Sequence, residues 1–348
     1  MFHQTDPRPR IGIDLGGTKT EVIALSSTGD TLLRERVATP SHSYDAIVRT
    51  VAALTRKAVE VTGTVPHVGV GVPGAPDQRT GKMKNANTTC LIGQPLADDL
   101  KSAIGCPVIL ENDANCFTLS EAVDGAGRGR RVVFGVILGT GVGGGWAIDG
   151  KPHAGMHHIG GEWGHNAVPL RLQADPAGEM QSILTQNTAP ETRHIEQALE
   201  GNLPGFPFVA LGRRCYCGLS DCVETHLCGA GLQRTHAWVS AGIRKNRYRT
   251  AVTPRTAQEI AGGAQSGDHA CQITLSLYAQ QLACCLSTVI NIMDPDVIVL
   301  GGGVSNIDAL YPHLQPALNR WVFNDRVLTP VLKARHGDSS GVRGAAWL

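Results

Sequence analysis

The chain has 348 residues, with 31 lysines and arginines against 30 aspartates and glutamates, which gives a formal net charge of +1. This balance argues against nucleic acid and anionic membranes as partners, since both select strongly basic surfaces. The N-terminal residues lack the apolar core of a signal peptide, and we expect no membrane-spanning stretch. The sequence therefore predicts a cytoplasmic protein that binds small molecules and, because of its length, has two domains.

The hydrophobic pattern predicts an α/β fold, beginning with strands over 10–16, 20–26 and 31–37. A helix follows over 43–61, where apolar residues recur on one helical face. Strand and helix then alternate, with a strand over 68–72, a helix over 96–104, and a strand over 108–111 that leads into a helix capped near Asn112. This alternation is typical of a sheet covered by helices.

The same order of elements restarts at Arg131. The sequence predicts strands over 132–138, 146–149 and 297–300, a long apolar helix over 268–293, and a helix over 307–320. This recurrence predicts a duplicated fold with an N-terminal domain over 1–113 and a larger C-terminal domain over 114–337. The final helix, 338–348, is expected to cross back onto the first domain. Segment 169–212 has weak periodicity and is predicted to be an insertion or a mobile loop.

A glycine turn between two apolar strands is the first motif with a chemical meaning. Gly16 and Gly17 have no Cβ atoms, so successive backbone N–H groups can point at one phosphate, with Thr18 and Lys19 adding a hydroxyl and a cation. Asp14 would repel a bare phosphate, so its presence favours a Mg²⁺ ion bound through water between the two. The alternative is a hairpin turn with an exposed aspartate.

Two further glycine clusters follow predicted strands. Residues 139–145 contain the spacing Gly-x-Gly-x-x-Gly, but a dinucleotide site needs a helix after the glycines, and a strand is predicted there. We therefore interpret them as a second phosphate-binding hairpin, which could grip one triphosphate together with the first. Gly301, Gly302 and Gly303 could lie against a nucleotide base or ribose, or could form a tightly packed strand-to-helix turn.

Polar residues mark the point where a strand ends and a helix begins at 111–115. Asp113 is our candidate general base, because phosphoryl transfer to an alcohol needs a carboxylate that orients the hydroxyl and accepts its proton. Asn112 would help to hold that hydroxyl. Alternatively, Asn112 and Asp113 simply cap the helix.

The chain has ten cysteines, and three of them, Cys215, Cys217 and Cys222, lie within eight residues. Together with His165 they offer three thiolates and one imidazole, a donor set that suits tetrahedral Zn²⁺ with no position left for water. Such an ion would be structural and would hold the loop that presents Glu162 and Glu224 to sugar hydroxyls. The alternative is a group of free thiols. The nearby His153, His157 and His158 are predicted to be surface or loop residues.

These motifs, in this order, resemble the ROK family of sugar kinases, whose fold is the duplicated ribonuclease-H-like architecture shared with actin and hexokinase. The resemblance implies that ATP and a hexose bind between the domains, with Asp113 as the base. The ATP residues it implies are Gly12, Asp14, Gly16, Gly17, Thr18, Lys19, Gly139, Thr140, Gly141, Gly143, Gly144, Gly301, Gly302 and Gly303. The sugar residues it implies are Gly74, Asn87, Asn112, Asp113, Glu162, His165 and Glu224, with His165 also binding zinc.

Within the family, residues 84–87, 93–95 and 333–347 look most like bacterial fructokinases that also accept mannose. The resemblance therefore implies transfer of phosphate from Mg·ATP to the 6-hydroxyl of fructose, with closure of the domains excluding water. N-acetylglucosamine kinase and glucokinase remain alternatives, and a homodimer is allowed. The family also contains sugar-responsive repressors, but these carry a helix-turn-helix domain, and only about ten residues precede the first glycine motif here.

Overall fold

The structure, a computed structural model, describes residues 7–63, 65–77, 79–86, 88–169, 207–208, 211–244 and 254–348. Two five-stranded sheets form the cores of two lobes. The first lobe contains the strands β1 (Arg10–Leu15), β2 (Lys19–Leu25), β3 (Thr31–Ala38), β4 (Val68–Val72) and β7 (Val108–Asn112), with a short hairpin of β5 (Ala75–Pro76) and β6 (Met83–Lys84) beside them. The second lobe contains β8 (Val132–Leu138), β9 (Val142–Ile148), β10 (Lys151–Pro152), β11 (Val297–Gly301) and β12 (Val331–Lys333).

Helices cover both sheets. The described helices are α1 (Tyr44–Thr62), α2 (Leu96–Ile104), α3 (Asp113–Val123), α4 (Val223–Leu227), α5 (Gly229–Arg244), α6 (Ala257–Gln265), α7 (His269–Met293), α8 (Tyr311–Trp321) and α9 (Ser340–Ala346). Helix α7 has the length and composition of a membrane span, which we did not expect from the sequence. However, 83% of its most apolar stretch is buried against the second lobe, so its apolar residues build the core.

The two sheets have the same topology. The strand orders are β3-β2-β1-β4-β7 and β10-β9-β8-β11-β12. In each sheet the first three strands in the chain are antiparallel neighbours, and the last two are parallel additions. This equivalence confirms the duplication predicted from the sequence.

Two predicted boundaries were wrong. β9 begins at Val142 rather than at 146, so its glycines lie within the strand. They are tolerated there because α3 packs directly on β9: a Cβ on Gly145 would lie 2.7 Å from the Ala114 carbonyl oxygen. Helix α8 begins at Tyr311 rather than at 307, because a 3₁₀ turn over Asp308–Leu310 intervenes and a proline occupies the helix's first turn. Most of the predicted loop over 169–212 lies outside the described residues.

Helices α3 and α9 cross between the lobes. α3 follows β7 of the first sheet but packs on β8 and β9 of the second, whereas α9 comes from the second lobe and packs on β1 and β4 of the first. The buried Glu121 carboxylate joins them, accepting hydrogen bonds from the Ser340 hydroxyl at 2.9 Å and from the backbone N–H of Arg335 at 3.0 Å. We therefore propose a domain division at 113, with 338–348 completing the first domain.

The contact between α3 and α9 depends on Gly344. A Cβ atom there would lie 1.6 Å from the carbonyl oxygen of Cys116 in α3, which is backbone and cannot rotate away. We expect Gly344→Ala to lower the free energy of unfolding by at least about 3 kcal/mol, measured by urea denaturation. The matched control is Gly262→Ala in α6, where a Cβ meets open space. Helix propensity predicts stabilisation there by up to about 1 kcal/mol, and equal effects at both sites would contradict this explanation.

Candidate active site

A cleft of about 250 Å³ lies between the lobes. Its walls combine the first lobe's segment before β5 and the start of α3 with the second lobe's glycine turn and the loops that carry the predicted metal ligands. The residues that line it and that the sequence predicts are Gly74, Asn112, Asp113, Gly139, Thr140, Gly141, Gly143, Gly144, Glu162, His165 and Glu224. The fold therefore brings most of the predicted sugar site and the second phosphate hairpin together. Asn87 lies outside the described residues.

The N-terminus of α3 forms one end of the cleft. Asn112 has extended backbone and caps the helix, its side-chain oxygen accepting a hydrogen bond from the Ala114 N–H at 2.9 Å. Its side-chain amide donates to the carbonyl oxygen of Gly74 at 3.3 Å. Gly74 has a φ of +110°, and a Cβ there would lie 2.5 Å from the Lys84 carbonyl oxygen. Asn112 thus has the capping role that the sequence offered as the alternative, and it also links α3 to Gly74.

Asp113 is the first residue of α3, and water reaches its side chain through the cleft. One carboxylate oxygen accepts a hydrogen bond from the Ala114 N–H at 2.8 Å. Protein from both lobes surrounds the group, and this desolvation, together with repulsion from Glu162, raises the pKa of Asp113 to about 6. A carboxylate with such a pKa is ionised at neutral pH and accepts protons better than an ordinary aspartate does.

Asp14 lies at the end of β1, next to the first glycine turn. Burial, together with the charges of Asp113 and Glu21, raises its pKa to about 7. A divalent cation that takes oxygen ligands would neutralise the repulsion between two such carboxylates. The residues present therefore fit Mg²⁺ near Asp14.

The two predicted phosphate turns have similar internal bonds. In the first turn the Gly16 N–H donates to the Lys19 carbonyl at 3.0 Å, and Gly17, Thr18 and Lys19 are exposed. In the second, the Gly139 N–H donates to the Gly141 carbonyl at 2.9 Å. The second turn lines the cleft and the first does not. However, Asp14, next to the first turn, is close enough to Asp113 for the charge of Asp113 to raise its pKa.

Several predicted nucleotide-site glycines have a packing reason of their own. A Cβ would lie 2.4 Å from α9 backbone at Gly12, 2.7 Å from Trp163 at Gly144, 2.4 Å from Phe117 at Gly301, and 2.5 Å from the Leu138 carbonyl at Gly302. Close packing alone requires glycine at these positions, so glycine there does not by itself indicate a nucleotide. Gly303 faces open space.

The four predicted metal ligands come together. The ligand atoms of His165, Cys215, Cys217 and Cys222 all lie within 4.8 Å of one another. His165 Nδ1 is 3.6 Å from the Cys215 sulfur, and the Cys217 and Cys222 sulfurs are 3.6 Å apart. A backbone hydrogen bond from Leu219 is the main cause that lowers the pKa of Cys217 to about 7, whereas desolvation raises the pKa values of Cys215 and Cys222. The donor set and spacing fit a tetrahedral ion.

Glu224 connects this cluster with the glycine turn. One carboxylate oxygen accepts a hydrogen bond from the Val142 N–H at 3.1 Å, and the other lies 3.8 Å from the Cys215 sulfur. One oxygen thus already accepts a hydrogen bond from the glycine-rich strand, a contact that the sequence did not predict for this candidate sugar ligand. Glu224 therefore also supports the turn.

The structure adds cleft residues that the sequence did not predict. His158, which we expected in a loop or at the surface, lines the cleft, as do Ile159 and Asn85. His158 has a φ of +53° and Asn85 a φ of +55°. Tyr216 also lines the cleft, and its hydroxyl lies 2.9 Å from His165 Nε2. A positive φ cannot be inferred for a histidine from sequence. Tyr216, however, lies between two predicted ligands, and that position was an available signal.

Two equivalent lobes around a cleft with paired carboxylates and a glycine turn define the class of actin-like and hexokinase-like folds. A family model described as "ROK family" matches residues 10–348, and the chain belongs to this family of sugar kinases. It is 36% identical over 337 residues to an N-acetyl-D-glucosamine kinase of Salmonella paratyphi B, which covers 97% of this chain and 98% of that protein.

Solved structures agree with the family assignment. A ROK hexokinase from Thermus thermophilus has a TM-score of 0.72 and 27% identity, and the match covers 97% of each chain. A ROK family glucokinase from Streptomyces griseus, solved in complex with glucose and AMPPNP, has a TM-score of 0.67 and 26% identity over 97% of this chain and 98% of that one. The duplicated two-lobed fold predicted from the sequence is confirmed.

Proposed function

We propose that this protein is an N-acetyl-D-glucosamine kinase that transfers the γ-phosphoryl group of ATP to the sugar's 6-hydroxyl. The observation that supports a kinase reaction is the cleft, which is lined by Asp113 from one lobe and by a glycine turn from the other. Such a cleft can hold an alcohol beside a base while backbone N–H groups bind the phosphates.

Asp113 would accept the proton of the attacking hydroxyl, since its raised pKa matches that task at neutral pH. Glu162 and Glu224 would bind other sugar hydroxyls, with Asn112 and Gly74 shaping the end of the pocket. His165, whose Nδ1 faces the thiols and whose Nε2 faces the Tyr216 hydroxyl, would act on the sugar through that tyrosine. The two glycine turns would bind the ATP phosphates, and Gly303 would lie near the adenosine. Mg²⁺ near Asp14 would neutralise charge on the transferred phosphoryl group.

The sugar preference is a choice between two candidates. The motifs at 84–87, 93–95 and 333–347 favour fructose. Similarity of 36% along nearly the whole length of N-acetylglucosamine kinases from several enterobacteria favours the acetamido sugar, because it includes the segments that form the cleft. We give the second observation more weight, since it covers all the cleft residues together.

We also propose that His165, Cys215, Cys217 and Cys222 hold a structural Zn²⁺ that orders the loops carrying Glu162 and Glu224. The His-Cys₃ set leaves no place for a water ligand, so the ion would take no part in the reaction. We further propose that ATP and a hexose are the partners, that neither nucleic acid nor membrane is bound, and that the enzyme acts in the cytoplasm. Homodimer formation stays a prediction.

An ADP-release assay with N-acetylglucosamine, glucose, mannose and fructose tests the proposed function. We expect the highest kcat/KM with N-acetylglucosamine, by at least about tenfold over glucose, as a built contact to an additional polar group would give. NMR of the product should show phosphate at the 6-position. A preference for fructose would support the motif-based prediction instead, and the absence of ADP release with every sugar would contradict the kinase.

The pH dependence of the activity should reflect the protonation state of Asp113. A general base must be ionised, and Asp113 becomes protonated as the pH falls through its pKa of about 6. With Mg·ATP saturating, so that the metal keeps Asp14 ionised, we expect kcat/KM for the sugar to fall about tenfold per pH unit below that value and to be flat from about pH 7 to 8. The measurement is a set of initial rates at constant ionic strength. Full activity at about pH 5 would contradict the assignment.

A further inference from the structure

Tyr216 is the most exposed aromatic residue of the cleft wall. Its residue is 77% exposed although it lies between the proposed zinc ligands Cys215 and Cys217. The ring packs edge-on against His165, with 5.1 Å between ring centroids and an interplanar angle of 88°. This contact fixes the ring at the cleft surface, where a bound sugar would touch it.

The hydrogen bond to His165 determines what the Tyr216 hydroxyl can offer a ligand. His165 Nδ1 faces the thiol cluster, and Nε2 lies 2.9 Å from the tyrosine oxygen. A histidine that binds a metal through Nδ1 keeps its ring proton on Nε2, so Nε2 donates to the tyrosine oxygen. The tyrosine's own proton then needs an acceptor, and among the described residues the hydroxyl has no second hydrogen-bond partner.

Asp113 and Tyr216 line the same cleft, and Glu162, which also lines it, is close enough to both for its charge to raise their pKa values. In the proposed reaction the 6-hydroxyl lies at Asp113. In a pyranose C2 is across the ring from C5, which carries C6, so the 2-substituent is the part of the sugar ring farthest from the reacting hydroxyl. A sugar that extends from Asp113 along the wall formed by Tyr216 would bring this substituent to the tyrosine.

We propose that Tyr216 is a specificity-determining residue whose hydroxyl donates a hydrogen bond to the carbonyl oxygen of the substrate's 2-acetamido group. This inference rests on the proposed function and adds the residue that would distinguish N-acetylglucosamine from glucose. The acetamido carbonyl is a strong acceptor, whereas glucose has at the same carbon a smaller hydroxyl that does not reach as far. The proposed metal acts here only by holding the proton of His165 on Nε2.

The test is calorimetric titration of the full-length, zinc-loaded protein with each sugar in the absence of nucleotide. Tyr216→Phe removes the hydroxyl and keeps the ring. We expect it to raise the Kd for N-acetylglucosamine by about 5–10-fold and the Kd for glucose by less than about twofold. The matched control is Leu219→Ala, which changes an exposed side chain of the same loop outside the cleft lining and should leave both Kd values unchanged. Zinc content is measured for each variant.

Each other outcome overturns the proposal. Equal losses for both sugars would assign the hydroxyl to a group that they share, and unchanged Kd values would mean that Tyr216 does not contact the sugar. Loss of zinc from Tyr216→Phe would make the tyrosine a part of the metal site instead. The wild-type substrate panel separates these results from failure of the proposed function, because an unaltered preference for N-acetylglucosamine in the wild type leaves that function intact whatever Tyr216→Phe does.

Discussion

Asp113→Asn is expected to lower kcat by about 10²–10⁴-fold while changing the Kd for the sugar by less than about threefold. Asparagine has the same shape and can keep the hydrogen bond from the Ala114 N–H, so the start of α3 and the pocket should be preserved. What it cannot do is accept the proton of the attacking hydroxyl. Steady-state ADP release gives kcat, and calorimetry gives the Kd of the sugar.

The control for this variant is Asp45→Asn. Asp45 is an exposed aspartate in the first turn of α1, so the same change is made at another helix N-terminus without a cleft. We expect its kcat to equal that of the wild type. If Asp113→Asn kept more than about a third of the wild-type kcat, Asp113 would not be the base, and positioning of the hydroxyl would have to account for the reaction. The residual activity should also lose the acid limb near pH 6.

Cys217→Ser is expected to have the second-largest effect, because it removes a ligand from the proposed zinc site. Zinc bound to the purified protein should fall from about one ion per chain to less than about a tenth, measured by elemental analysis. The free energy of unfolding should fall by on the order of 3 kcal/mol, since loss of a structural metal is among the larger single-residue effects. The sugar KM should rise by at least about tenfold.

The rise in sugar KM follows from what the cluster connects. His165 ends the turn Trp163–His165 that follows Glu162, and Cys222 is the cap residue of α4, which carries Glu224. Backbone hydrogen bonds from the Val223 N–H to the Asn166 carbonyl and from the Val168 N–H to the Asp221 carbonyl, both 2.9 Å, also join these segments, and the ion would add the link between His165 and the cysteine loop. Glu224 also accepts a hydrogen bond from the Val142 N–H of the glycine-rich strand. Loss of the ion should therefore make the glycine turn less ordered and raise the KM for ATP as well.

Two comparisons make the zinc prediction specific. Cys106→Ser changes a partly exposed cysteine remote from the cluster and should leave zinc content and KM unchanged. A strong chelator should destabilise the wild type but not Cys217→Ser, which has already lost the ion. A wild-type protein that contains no zinc and is insensitive to the chelator would refute the four-ligand site.

Local sequence signals predicted much of the fold. All five residues of β4 and most residues of β1 and β2 are buried, so both faces of these strands are covered, as continuous apolar strands require. The cap at Asn112 follows from residues adjacent in the chain, and Cys215, Cys217 and Cys222 are close in space because they are close in sequence. The starts of β9 and α8 were mispredicted where glycine or proline allowed more than one local structure.

The sequence by itself determined the duplicated α/β pattern, the candidate base and the ligand set, since each of these depends on residue types at short spacing or on a recurring order of elements. Only the tertiary structure decided which glycines serve packing, that Glu224 spans from Cys215 to Val142, and that Tyr216 and His158 face the cleft. These features depend on how two lobes and the crossing of α3 and α9 bring distant segments together. The sequence alone does not distinguish a glycine that packs against a helix from one that contacts a phosphate, because the difference lies in distances between segments far apart in the chain.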